Sequence, residues 1–148
     1  RHISADDARM RALNSAKELF GVVLLRFRIL PRIWAILLVL VNAASVFFLD
    51  TIYGQAALAA VVFGVLVMIA IHMRLGFVRL LGIGHVLWIP MLIWFAVTIP
   101  KIDEGSALRN WMTLLMVFNS ISLVIDAIDV IRYFRGERAP HYAWKEAA

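Results

Sequence analysis

The chain has 148 residues, 63% of them hydrophobic and 17% charged, with a mean hydropathy of +0.85. Soluble domains carry roughly 45–50% apolar and about 25% charged residues, so too few polar side chains are present to clothe a water-facing surface. An ordinary soluble domain, a disordered chain and a coiled coil are excluded. No cysteine is present, which removes disulfides, thiolate zinc sites, iron–sulfur clusters and covalently attached haem. The net charge of +5 flanks apolar runs, so anionic lipid headgroups, not nucleic acid, are the expected counter-charge.

The chain opens with a segment, residues 1–31, that reads as a basic amphipathic helix. Ser4 suits an N-cap, and Asp6 and Asp7 suit the first turn, where acids favour the helix dipole. Leu13, Ala16, Phe20, Val23, Phe27 and Leu30 recur at spacings of three and four, with Arg9, Arg11, Lys17, Arg26 and Arg28 between them. Such a helix lies in a membrane interface, ahead of a turn at Pro31; the alternative is packing on its own bundle or on a partner subunit. With its acids and no small-residue cleavage site, the segment does not read as a signal peptide.

Residues 32–134 hold four apolar runs, at about 33–52, 55–73, 78–100 and 109–133. A helix needs about 20 residues to cross a hydrocarbon core of roughly 30 Å. None of the runs shows the alternation of a barrel strand. The expected architecture is all-α: an integral membrane four-helix transmembrane bundle with an N-terminal interfacial helix and a tail at 135–148. Thirteen of the 15 Lys and Arg residues fall on one side of this arrangement; Lys101 and Arg109 alone fall on the other. The positive-inside rule then places both termini in the cytoplasm, in a cell inner membrane. Arg26, Arg28, Arg32, Arg74, Arg79, Arg132 and Arg135 are the expected headgroup contacts. Trp34, Trp94, Trp111, Tyr53 and Tyr133 fall near span ends, as interfacial aromatics do.

On the second run, Ala56, Ala60 and Gly64 form a small-residue ladder suited to close helix packing. On the third, Gly82, Gly84 and Pro90 suggest packing and a kink. The fourth is the most informative. Asn119, Ser122, Asp126, Asp129 and Tyr133 are spaced three, four, three and four, so they share one helix face. An aspartate facing lipid at mid-span costs roughly 2.5–3.5 kcal/mol, so this face turns to a bundle interior, a cavity or a subunit interface.

Counting about 1.5 Å per residue from Arg132 and Arg79 sets Asp129 about 4–5 Å deep and both Asp126 and His85 about 9 Å deep. His72 falls at the same boundary, at headgroup depth. Asn42, Ser45 and Asn119 fall near mid-membrane. Together these residues outline a polar path opening inward, with Asp126, Asp129, His85, Asn119 and Asn42 as its members. Each also has a purely structural reading. Asp129 then pairs with Arg132, Arg74 or Arg79, His85 is a satisfied core histidine, and the asparagines pin helices together.

Three functions follow. The favoured one is a small oligomeric transporter or channel, proton- or cation-linked, in which Asp126 titrates and His85 relays. Four short helices are few for a monomeric carrier, hence the expected homo-oligomer. The second is an accessory or structural subunit of a larger membrane complex. The third is a membrane enzyme, with Asp126 and Asp129 on a magnesium–diphosphate, or a b-type haem held by His72 and His85. Too few acids are present for the former, and unequal histidine depths argue against the latter, so no cofactor is expected. Arginine at every third position, as a voltage sensor requires, is seen in none of the runs.

Overall fold

The computed structural model describes residues 5–138, and these are all-helical. Ser4, Arg1 and Lys145 lie outside the described residues, as does most of the 135–148 tail. The elements are α1 (Ala5–Gly21), α2 (Ile29–Ala43), α3 (Ile52–Leu75), α4 (Trp88–Thr98) and α5 (Ala107–Phe134). A π-turn, Val22–Arg26, follows α1; 3₁₀ segments follow α2 (Ala44–Phe48), precede α4 (Arg79–His85) and follow it (Ile99–Lys101).

The single α-helix expected up to Leu30 ends at Gly21, passes into the π-turn and breaks at Phe27, where the backbone becomes extended. The exposed carbonyls at the break are held by Arg32, whose guanidinium donates to the oxygens of Leu25 at 3.0 Å and Phe27 at 2.8 Å. Arg32 is thereby engaged with its own chain, where a headgroup contact was expected. Pro31 does not turn the chain; it sits in the first turn of α2, where its missing N–H costs nothing. The chain's N-terminal helix docks on α3 through a flank offset from its expected apolar face: Ser15 and Leu19 are buried, while Leu13, Phe20 and Leu30 stay exposed. Hydroxyl capping starts α3 and α5. Thr51 Oγ1 accepts from the Gly54 N–H at 3.2 Å, and Ser106 Oγ from the Arg109 N–H at 3.2 Å.

Three helical stretches are long and apolar enough to cross a membrane: Ile29–Phe48, Ile52–Leu75 and Ala107–Phe134. A fourth results if Arg79–His85 and Trp88–Lys101 count as one span bent by 43°. The continuous third run is thus corrected to a broken one. Its first half contains Gly82 and Gly84, poor α-formers, and its second half starts beside Pro90. Only 17–22% of the most apolar stretch of each long helix is buried within the protein, so the apolar remainder requires a lipid or protein partner.

Neighbouring helices run antiparallel, as the cross-contacts show. Trp34 near the start of α2 meets Ser122 of α5, whereas Val41 and Asn42 near its end meet Trp111 and Asn119, both earlier on α5. The apolar core lies at the end away from α1, where Phe95, Met112 and Leu115 are fully buried. Phe48 stacks on Trp111 with centroids 4.7 Å apart, and Tyr53 meets Trp94 at 5.2 Å. Trp111 is buried there, away from the interfacial position expected of it.

The small-residue ladder of α3 keeps Ala60 and Gly64, with Ala57 in place of Ala56 as its first member. Ala57, Ala60 and Gly64 are buried, whereas Ala56 is only partly so. Gly64 meets Gly84 backbone to backbone: a Cβ on Gly64 would lie 2.7 Å from the Gly84 oxygen, and one on Gly84 2.8 Å from the Gly64 oxygen.

Candidate functional site

The polar face of α5 is engaged along its length within one chain. At mid-helix, Asn119 is fully buried and exchanges two hydrogen bonds with Asn42 of α2. Asn42 Nδ2–H donates to Asn119 Oδ1 at 2.8 Å, and Asn119 Nδ2–H to Asn42 Oδ1 at 3.0 Å. One turn on, Ser122 Oγ accepts from the Trp34 indole N–H at 3.3 Å. Below it stands Asp126, and below that Asp129. Tyr133, last on the stripe, lies under the Arg138 guanidinium, 5.6 Å from the ring centre.

Asp129 is buried and paired with Arg79, whose guanidinium donates to Oδ1. Arg79 is itself 3% exposed, so its expected headgroup role is corrected to that of a buried counter-ion. The 3₁₀ segment that carries it turns the side chain onto α5, and its backbone N–H donates to the Arg138 carbonyl at 3.0 Å. Arg26, Arg28, Arg74, Arg132 and Arg135 lie on the surface or partly so, and Arg132 is 3.9 Å from the Glu137 carboxylate.

Asp126 differs from Asp129 in that its partner among the described residues is a histidine, not an arginine. Its Oδ2 lies 2.7 Å from His85 Nδ1, and the two side chains keep 19% and 18% exposure. An ionised carboxylate only accepts, so with Asp126 charged the Nδ1–H donates to it. The His85 ring lies flat on Trp88, with centroids 3.9 Å apart and 13° between planes, which fixes its direction. Gly82 passes so close that a Cβ there would sit 2.8 Å from that of Asp126.

This pair lines a cavity of about 340 Å³ between α1, the π-turn, α2, α3 and the 3₁₀ segment. Its walls are apolar, from residues such as Phe20, Val23, Leu38, Val65 and Phe77, and Asn42 marks its deep end. Beyond Asn42 the packed aromatic core begins. Sequence reasoning missed Trp88 and Gly82 as members of the site. Trp88 follows His85 by three residues, the spacing that sets two rings on one helical face.

The two histidines do not converge. His72 is buried beneath α1, and its Nδ1 shares a hydrogen bond of 2.7 Å with Ser15 Oγ. Each ring has its own protein partner, so the pair does not face one haem iron. Among the described residues, no three His, Asp or Glu side chains are grouped to hold a metal ion. No protein-family model, curated protein or solved structure matches the chain.

Proposed function

We propose that this chain is a four-helix transmembrane bundle acting as a small proton- or cation-linked carrier, with His85 and Asp126 as the exchanging pair. The orientation carried over from the Lys and Arg asymmetry puts both termini, and the α1 end, in the cytoplasm of a cell with a single inner membrane to span. α1 then lies along that face, its exposed Leu13 and Phe20 in the headgroup layer and its Ser15 flank on α3.

One observation carries the reading. Of the two aspartates on the stripe, Asp129 is neutralised by a buried arginine, while Asp126 shares a 2.7 Å hydrogen bond with a titratable ring and lines a cavity. A carboxylate–imidazole pair of this kind takes up and gives up one proton with little movement. The stripe finds its partners inside one chain, so it supplies no argument for a second copy; the homo-oligomer rests on helix number alone.

The test is proton flux in proteoliposomes, read with an entrapped pH dye under an imposed cation gradient. Asp126→Asn should abolish flux and His85→Ala should cut it at least about tenfold, with unchanged helical content and elution volume. Undiminished flux in Asp126→Asn ends the reading. The accessory-subunit alternative draws on the exposed apolar face of α1, and a stoichiometric partner retained in gentle detergent would favour it.

A further inference from the structure

We infer that the cavity above the His85–Asp126 pair binds a lipophilic monocation, an apolar body bearing one positively charged nitrogen or phosphorus. The inference rests on the proposed exchange role of that pair and names what exchanges with the proton.

Charge complementarity argues for the sign. The described lining of the cavity includes no lysine or arginine, and its titratable members are His85 and Asp126. With one proton on Nδ1 and none on the carboxylate, the pair carries a net negative charge in a wall otherwise made of hydrocarbon and rings. An anion would meet that charge without a counter-ion; a cation would neutralise it. The other charged groups nearby do not change this. Arg79 and Asp129 cancel on the next turn of α5, His72 on α3 is held by Ser15, and α2 presents only the amide of Asn42.

Shape argues for the body. Phe20, the contacting pair Phe27 and Phe77, and Trp88 line the space, and a cation among aromatic rings gains attraction when desolvated. The volume falls in the range of small-molecule sites, roughly 300–1,000 Å³.

Proton and cation then exclude one another. A second proton on the pair brings its net charge to zero, and a bound cation does the same. Both together leave an unpaired positive charge in an apolar wall, which is costly. Binding therefore releases a proton near the pair's titration and weakens as the pH falls through it.

The test uses two probes of one shape and opposite charge, tetraphenylphosphonium and tetraphenylborate. Each is titrated against the full chain in phosphatidylcholine nanodiscs, with empty nanodiscs subtracted. Saturable binding of the phosphonium alone is expected, weakened about tenfold or more by Asp126→Asn. Ala35→Phe, which adds a ring to the cavity lining from α2 and leaves both members of the pair in the sequence, should weaken it similarly, and serves if the Asp126 variant fails to fold. Equal binding of both ions, or phosphonium binding unchanged by Ala35→Phe, overturns the inference. Phosphonium binding that is lost in both variants but releases no proton supports the cation site and strikes only the exchange reading.

Discussion

Two carboxylates three residues apart on α5 have opposite fates because of what faces each. Asp129 meets the guanidinium of Arg79, both nearly out of reach of solvent, while Asp126 meets an imidazole at the edge of a cavity. Burying a charge pair is costly, but breaking one is costlier, since the survivor is left uncompensated. Arg79→Ala should therefore destabilise the fold by about 3–5 kcal/mol. The double variant Arg79→Ala/Asp129→Ala should recover much of the loss. Reversible unfolding in mixed micelles measures both; a double variant no better than the single would mean the cost lies in the packing of the arginine stem, not in the charge.

Between elements, three glycines control how near the 3₁₀ segment comes to its neighbours, and they should fail in different ways. At the Gly64–Gly84 crossing an added methyl meets a backbone oxygen, which cannot rotate aside, so Gly84→Ala should cost about 1–3 kcal/mol of stability by forcing α3 away. At Gly82 the obstacle is the Asp126 side chain. Gly82→Ala should cost stability as well, because the Asp126 Cβ cannot swing aside, and should in addition displace the carboxylate from His85, visible as a changed His85 imidazole resonance. An unchanged resonance would show that Gly82 serves packing alone. This element is also where the sequence was least legible. The stripe on α5 stood out because residues three and four apart share a face on any regular helix, and Asp126 with Asn119 could be found from spacing alone. The partners across from it stood out only in part. A 3₁₀ segment rises about 2.0 Å per residue against about 1.5 Å for an α-helix, so a depth count from Arg79 to His85 falls short. The tighter winding also turns Arg79 inward, away from the surface its charge suggested. Likewise the break at Phe27 depends on an arginine from the next element reaching back, which no local pattern announces.

At the scale of the molecule the open matter is whether the bent pair crosses the membrane or returns to the side it came from, and the two cases give opposite topologies. If Arg79–His85 and Trp88–Lys101 form one broken span, four crossings result, and the loops holding Asp50 and Glu104 share a side, with Glu137 on the other. If the pair is re-entrant, three crossings result, and Asp50 and Glu104 fall on opposite sides. Charge favours the first case. It keeps Lys101 and Arg109 as the only basic residues outside, whereas re-entry would send Arg132, Arg135 and Arg138 across with the end of α5. The chain has no cysteine, so single substitutions can be read without background. Glu104 and Glu137 have side chains 89% and 59% exposed, and Asp50 is exposed as well, so none should disturb packing. With a membrane-impermeant maleimide on intact cells, Asp50→Cys and Glu104→Cys should label at once, and Glu137→Cys only after lysis. Labelling of Glu137→Cys in place of Glu104→Cys would make the pair re-entrant. The half-helix beside His85 would then end within the membrane, while the cavity, lined by Leu19 and Phe20 of α1, would stay on the side that α1 occupies.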